Sequence, residues 1–269
     1  MKLAVSNIAL SAYRHEEDLK SLPGMGFLGL EVAPSRVWKN TWQGLSPKSV
    51  ERYRNEVKNA GLSIVGLHSL FYDKPELGLF RDTETRRSTL DFMVHLSKIC
   101  RDLGGKTLIY GAGRWRRSLS INDAITQSLD FFSDLIPRIE EHRTVFCFEP
   151  LGSSDTDFIN SVYDSINFVK RVNHPAMRVQ LDAKALVING EMKSEVFQAA
   201  APFLVHVHAN EPDLGILGTS GLVDNHKMAN LLRNINYEGY VSIEQKMIGK
   251  KAPLEALQRS AKVLEECYG

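Results

Sequence analysis

The chain has few cysteines, almost no net charge and no long apolar run. Its 269 residues include 33 Lys and Arg against 32 Asp and Glu, which gives a formal charge of +1. That balance argues against extended contact with a nucleic-acid backbone. No apolar stretch reaches transmembrane length, and the opening apolar run is too short for a signal peptide. We therefore expect a cytoplasmic protein that contacts neither membrane nor nucleic acid.

The three cysteines, Cys100, Cys147 and Cys267, are widely scattered. An odd, scattered set does not provide a disulfide framework and is typical of a reducing compartment. Cys147 falls in the middle of a strand-like segment, so we interpret it as a packing residue and not as a reactive thiol.

The first strand-like segment lacks the Gly-rich phosphate turn of dinucleotide-binding sheets, since it continues as Ile8-Ala-Leu-Ser-Ala-Tyr13. Strand-like and amphipathic helical segments instead alternate along the whole chain. Strand candidates lie at 2–10, 27–33, 63–70, 106–111, 144–150, 177–186, 203–209 and 239–246. Helix candidates lie near 16–21, 47–60, 86–103, 121–141, 157–172, 192–200, 226–235 and 253–266. Eight strand–helix units in about 250 residues predict an α/β fold, a single (β/α)₈ TIM-barrel domain over 1–269.

Four of these strand-like stretches end on residues that bind metals: Val145-Phe-Cys-Phe-Glu149, Val179-Gln-Leu-Asp182, Val205-His-Val-His208 and Val241-Ser-Ile-Glu244. Within each stretch one face is apolar, and the terminal residue belongs to the other face. The apolar face of a barrel strand packs on the helices, so the other face lines the lumen. Barrel active sites lie at the carboxyl ends of the strands. Three carboxylates and one imidazole there predict a site for a divalent cation.

Short motifs around these ends resemble the sugar phosphate isomerase/epimerase superfamily of xylose-isomerase-like barrels, over nearly the whole chain. They are Phe148-Glu149-Pro150, Leu181-Asp182, His206-Val-His208-Ala-Asn and Ser242-Ile-Glu244. The group includes ketose 3-epimerases, hydroxypyruvate isomerases, inosose dehydratases and endonuclease IV. The resemblance implies that Glu149, Asp182, His208 and Glu244 ligate one divalent ion, Mn²⁺, Mg²⁺, Co²⁺ or Zn²⁺. It also implies that Glu149 and Glu244 are the catalytic proton-transfer pair.

The chemistry of such a pair leads to the same role. Removing a proton next to a carbonyl needs an electrophile on the oxygen and a base at the carbon. Glu149 and Glu244 could flank the carbon, one removing the proton and the other returning it through a metal-stabilised enediolate. Inversion of the centre would make the protein an epimerase, whereas one base moving the proton between neighbours would make it an isomerase. The sequence leaves both outcomes open.

Two other functions also remain open at this point. A metal-dependent dehydratase of the inosose type begins with the same proton abstraction and then expels hydroxide. A non-catalytic sugar-binding barrel needs no paired carboxylates, so the retention of all four ligands argues against it. The expected partner is a small sugar-like molecule, and a homo-oligomer is compatible with the superfamily.

The sequence also departs from the superfamily pattern. Ala185 stands where many members carry a His that contacts substrate or a second metal. His68 and Asp224-Asn-His226 match parts of the trinuclear zinc pattern of endonuclease IV, but the fourth strand ends in Tyr110-Gly111-Ala112 without the expected His. A trinuclear site is therefore incomplete, which argues against DNA repair.

Six further residues are candidates for the substrate site. Some have a second interpretation: Glu31 could orient a partner, His206 could hydrogen-bond behind the ligands, and the loop that carries Arg114 could bind an anion or be solvated. The predicted substrate-binding residues are His68, Glu31, Lys184, Arg114, Trp115 and His206.

Overall fold

A computed structural model of the protein describes residues 1–249 and 253–269; residues 250–252 of the predicted domain lie outside the described residues. Within that part of the chain, eight parallel strands form one sheet in sequence order, and the last pairs with the first. The predicted closed (β/α)₈ barrel is confirmed. The strands are β1 Lys2–Ser6, β2 Gly29–Val32, β3 Ser63–Leu67, β4 Thr107–Tyr110, β5 Val145–Phe148, β6 Met177–Asp182, β7 Leu204–Ala209 and β8 Tyr240–Ile243.

Helices surround this barrel on the outside. They are α1 Glu16–Ser21, α2 Pro47–Asn59, α3 Thr83–Leu103, α4 Ile121–Ile139, α5 Val162–Val172, α6 Ala183–Ile188, α7 Ser194–Ala200, α8 Asn225–Asn234 and α9 Pro253–Tyr268. None of the described helices is both long and apolar enough to cross a bilayer.

The predicted first and sixth strands each extend four residues too far, and the predicted fifth helix begins five residues too early. The sixth strand ends at Asp182, because the Asp182 side chain accepts a hydrogen bond from the Ala185 amide and caps α6. The first strand ends at Ser6, whose side chain accepts from the Ile8 amide and starts a short 3₁₀ turn. The fifth helix begins at Val162 and not at 157, because Ser161 forms a capping box with Asp164.

The outer faces of the strands carry the apolar residues, as the alternation predicts. Phe148 on β5 packs against Phe168 of α5 and Phe132 of α4, with ring centroids 4.9 Å and 6.0 Å away. The lumen face carries the polar set instead, and Asp182, His208 and Ser242 lie at one level in the register of β6, β7 and β8. The apolar outer face therefore aims the polar residues into the centre of the barrel.

Candidate metal and catalytic site

Three carboxylates surround one nitrogen of the His208 imidazole. Nδ1 of His208 lies 3.5 Å from Oε1 of Glu149, 3.7 Å from Oδ2 of Asp182 and 3.7 Å from Oε2 of Glu244. One ligand atom each from Glu149, Asp182 and His208 all lie within 4.8 Å of one another, as in a metal-ligand group. The structure thus brings all four predicted ligands together, with Glu244 turned partly toward a second imidazole, that of His68.

Strand geometry explains why these side chains converge. Asp182 ends β6, and His208 is the last residue but one of β7. Glu149 and Glu244 directly follow β5 and β8, and their amides still donate to the neighbouring strands, to Tyr110 O at 3.2 Å and Ala209 O at 3.1 Å. The lumen parity of the strand therefore extends to both glutamates.

The other nitrogen of His208 is held from below by Glu31. Nε2 lies 2.9 Å from Oε2 of Glu31, a carboxylate that is fully buried. With Nε2 held by Glu31, Nδ1 is the nitrogen that faces the three carboxylates, and a metal ion bound there would take its lone pair. Nδ1 is buried and has no hydrogen-bond partner, which is costly unless a cation occupies the space in front of it. The donor set of three carboxylates and one imidazole fits a divalent metal ion.

Electrostatics separate the two glutamates of this group. Burial raises the pKa of Glu149, and the nearby charges of Asp182 and Glu244 add to the rise. Burial also acts to raise the pKa of Glu244, but the imidazoles of His208 and His68 outweigh it and lower the pKa to about 2. The two carboxyls therefore hold a proton with different strength, a property that suits an acid and base pair.

Asn210 fixes the spacing of two ligands. Its Nδ2 donates to Oδ2 of Asp182 at 2.6 Å and to Oε2 of Glu244 at 2.9 Å, and its Oδ1 accepts from the Lys184 amide at 2.8 Å. In the sequence, Asn210 stood out only as the last residue of the His206-Val-His208-Ala-Asn motif. Its position two residues after His208, on the same strand parity, was the available signal for this closer role.

The ligand group forms the floor of a cavity of about 470 Å³ at the carboxyl end of the barrel. Of the predicted substrate-binding residues, His68, Trp115 and Lys184 line it. Nδ1 of His68 lies 3.4 Å from Oε1 of Glu244, and Nζ of Lys184 lies 3.0 Å from Oδ2 of Asp155. These three predicted residues are therefore placed where a bound molecule would meet them.

Glu31, His206 and Arg114, also predicted at the substrate, do not line the cavity. Glu31 and His206 are fully buried one layer below His208, with His206 Nε2 3.0 Å from Oε1 of Glu31. Ser242 Oγ donates to the other Glu31 oxygen at 3.0 Å. Both residues thus lie behind the candidate ligands and outside the cavity.

Arg114 occupies neither of the two positions that the sequence left open for it, an anion site or a solvated loop. Its guanidinium is fully buried, 4.7 Å above the ring of Phe148, and donates to the backbone oxygens of Gly111 and Glu149, both at 2.6 Å. The arginine therefore fastens the end of β4 to the end of β5 beside the Glu149 carboxylate. Anion binding would need the guanidinium in the cavity, and its burial against an aromatic ring removes it from there.

Gly111 leaves the space that the Glu149 carboxylate fills. A Cβ added at Gly111 would overlap Oε2 of Glu149, with Leu151 as its next neighbour. The requirement does not arise from backbone conformation, since Gly111 is not among the glycines with positive φ.

Comparison with known proteins agrees with this architecture. The model of the xylose isomerase-like TIM barrel family matches residues 20–267. A D-psicose 3-epimerase of Ruminiclostridium cellulolyticum is 28% identical over 168 residues, which are 61% of this chain and 57% of that protein. A second, from Agrobacterium fabrum, is 30% identical over 98 residues, 36% of this chain and 34% of that protein. The matched stretches thus span less than two-thirds of these curated relatives.

Solved structures match over the whole chain, at identities that show the fold alone. The D-psicose 3-epimerase from Clostridium cellulolyticum with D-tagatose has a TM-score of 0.84 at 17% identity, covering 100% of this chain and 99% of that one. The 3-keto-D-glucoside 4-epimerase from E. coli has a TM-score of 0.80 at 22% identity, covering 99% and 100%. Because the family model matches almost from end to end and the barrel closes as the family requires, the chain belongs to the xylose isomerase-like TIM barrel family.

Proposed function

We propose that the protein is a divalent-metal-dependent epimerase of a small sugar or sugar-derived hydroxy-carbonyl compound. The observation that carries the proposal is the Nδ1 atom of His208, which faces three carboxylates while Glu31 holds Nε2 from behind. The similarity to two D-psicose 3-epimerases supports it. The proposal includes a cytoplasmic location, because three free, buried cysteines suit a reducing compartment.

The residues that would hold the metal are Glu149, Asp182, His208 and Glu244. When bound, the ion supplies a positive charge that polarises the substrate carbonyl and stabilises the negative charge that develops on its oxygen. Oxygen-rich sets with one imidazole accept Mn²⁺, Mg²⁺, Co²⁺ and Zn²⁺. Asn210 would keep Asp182 and Glu244 at their spacing, so the set needs little rearrangement to bind an ion.

The proton transfer would be carried by Glu149 and Glu244. They follow β5 and β8, which are three strands apart in a ring of eight, so their carboxylates approach the cavity floor from different sides. A substrate carbon between them would lose its proton to one carboxylate and receive a proton from the other. This arrangement inverts the carbon and favours an epimerase over an isomerase with a single base.

The test is NMR in D₂O with the metal-loaded protein and a panel of ketoses, aldoses, hydroxypyruvate and keto-inositols. We expect deuterium uptake at the carbon next to the carbonyl, inversion at that carbon, and loss of both with a chelator. Glu149→Gln and Glu244→Gln should abolish exchange, whereas Glu265→Gln, on the exposed face of α9, should not change it. Full exchange in both site variants would contradict the proposal. Loss of water from a keto-inositol would instead identify a dehydratase.

A further inference from the structure

The cavity above the ligand group has two chemically different parts. The floor is formed by the ligands with His68 and Asn210. The outer wall includes four largely apolar side chains that are partly or mostly open to solvent, and we call these four the apolar mouth: Tyr72, Trp115, Leu151 and Leu214. The proton transfer uses the floor and leaves the mouth without a role.

Two aromatic rings of the mouth are unusually exposed. The side chain of Tyr72 is 79% exposed and that of Trp115 is 49% exposed, although both line the cavity. Aromatic side chains provide large apolar faces, and covering them is favourable. Exposed apolar surface that continues into a binding cavity marks the place of a ligand group.

The backbone that carries these rings is fixed. Tyr72 lies in a turn closed by its own amide and Ser69 O at 3.2 Å, and the preceding ring, Phe71, packs on Tyr110 with centroids 5.7 Å apart. The loop of Tyr72 is joined to the loop of Trp115, because the Leu79 amide donates to Gly113 O at 3.2 Å. The two aromatic rings are therefore presented on one preformed frame.

The described charges of the outer wall are already paired. Lys184 lies 3.0 Å from Asp155. Arg116, next to Trp115, donates through its amide to Oδ1 of Asp157 at 2.6 Å, and its Nε lies 3.8 Å from Oδ2 of the same carboxylate. Within residues 1–249 and 253–269 this wall thus offers apolar surface and paired charges, which suit an uncharged ring better than a phosphate.

We propose that the substrate is a keto-sugar joined to a second, uncharged ring, a glycoside, whose second ring packs its C–H face on Tyr72 and Trp115. The inference rests on the proposed function: the carbonyl ring lies at the ligand floor, and the second ring extends into the apolar mouth. The cavity of about 470 Å³ has room for both, since cavities of about 300–1,000 Å³ hold ligands larger than a single sugar ring.

The test compares sugars that differ only in the second ring, with the same metal-loaded protein. D-fructose is paired with disaccharides that carry a further hexose on a fructose hydroxyl and keep the carbonyl free. The methyl glycoside of a 3-keto-glucose is paired with its phenyl glycoside. Solvent deuterium exchange gives kcat/KM for each compound, and quenching of tryptophan fluorescence gives binding without turnover.

We expect the two-ring member of each pair to have a kcat/KM about tenfold higher than the one-ring member, because one aromatic stacking contact can provide a gain of about that size. Tyr72→Ala and Trp115→Ala should bring this ratio toward one, mainly through KM. Tyr163→Ala, at an aromatic on α5 outside the cavity with an exposure of 44%, close to that of Trp115, is the matched control and should keep the ratio.

Failure of this inference is distinguishable from failure of the proposed function. The glycoside proposal would be overturned, and the epimerase proposal would stand, if single-ring sugars exchange and the native protein shows a kcat/KM ratio near one between two-ring and one-ring sugars. A ratio that neither Tyr72→Ala nor Trp115→Ala changes would have the same meaning. Absence of exchange with every compound would contradict the epimerase. The fluorescence titration would then still decide whether the two-ring compounds bind more tightly and whether Tyr72→Ala removes the difference.

Discussion

Oε2 of Glu31 lies 2.9 Å from Nε2 of His208 and fixes which nitrogen of that ring faces the three carboxylates. Carboxylates of this kind orient a metal-binding histidine and raise its basicity. The same Glu31 contacts His206, so one buried carboxylate serves two imidazoles. Burial acts to raise the pKa of Glu31, but His208 and His206 outweigh it and hold the pKa well below its usual range.

Replacing Glu31 by Gln should therefore weaken metal binding without removing a ligand. We expect the affinity for Mn²⁺ to fall about 10- to 100-fold, because an amide carries no negative charge to orient and polarise His208. Isothermal titration of Mn²⁺ into the metal-free protein measures this directly, with Glu265→Gln as the control. Equal affinities for Glu31→Gln and the native protein would show that His208 needs no such support.

Gly111→Ala should remove function through one added methyl group. The new Cβ would overlap the Glu149 carboxylate and displace it from the ligand group. We expect loss of exchange activity and weaker metal binding, with a melting temperature close to that of the native protein. Gly24→Ala is the matched control, since its Cβ would meet nothing within 4 Å. Native activity in Gly111→Ala would mean that Glu149 can occupy a different position and still act.

Arg114→Ala should lower the free energy of unfolding. The substitution leaves the backbone oxygens of Gly111 and Glu149 without their donors inside the protein, at about 1–3 kcal/mol for each unsatisfied group. We expect a total loss of about 3 kcal/mol in urea unfolding. Arg87→Ala, at an exposed position of α3, should change stability by less than about 0.5 kcal/mol. A similarly small change for Arg114→Ala would show that its hydrogen bonds to Gly111 and Glu149 do not stabilise the junction between the ends of β4 and β5.

Glu149→Gln should stabilise the metal-free protein while abolishing proton transfer. Burial raises the pKa of Glu149 above that of the unfolded chain, so the folded state binds more protons between the two pKa values. Stability of the metal-free protein is therefore lost as the pH rises from the ordinary glutamate pKa of about 4.3 through the raised value. An uncharged Gln removes this loss.

The melting temperatures of the metal-free native protein and of Glu149→Gln should be measured from about pH 4 to about pH 8, which begins near the usual glutamate pKa. They test the sign of the stability difference between the two proteins and its dependence on pH. The difference should favour the variant and should grow with pH. Saturating Mn²⁺ should reverse the order, because the ion neutralises the carboxylate in the native protein and finds a weaker site in the variant. A difference that is constant with pH would contradict the titration of Glu149.

The barrel and the convergence of the four candidate ligands could be predicted from the sequence for a simple reason. Strand residues alternate with a period of two, and a barrel turns one parity inward, so Asp182 and His208 could be assigned to the lumen without coordinates. The ends of the elements were less predictable. Asp182 is both a proposed metal ligand and the cap of α6, and the apolar residues after it fit a strand as well as a helix.

The residues that support the site from a distance could not be predicted in this way. Arg114 lies in a loop, where no periodicity indicates which side is buried, and its partners are backbone oxygens that every residue carries. The same holds for Gly111, where a side chain is excluded only because the Glu149 carboxylate occupies the space that a Cβ would need. Such roles depend on tertiary contacts between segments, and they appear only when the strands are assembled.

The amide of Leu79 and the carbonyl of Gly113 join two loops that carry no ligand. Because Tyr72 and Trp115 lie on these loops while the proposed ligands lie at the ends of strands, the reacting centre and the recognition of the rest of the substrate are separately mutable. Exchange of this paired segment between relatives should therefore transfer substrate preference as a unit, and directed evolution of new specificities can begin there without redesigning the catalytic floor.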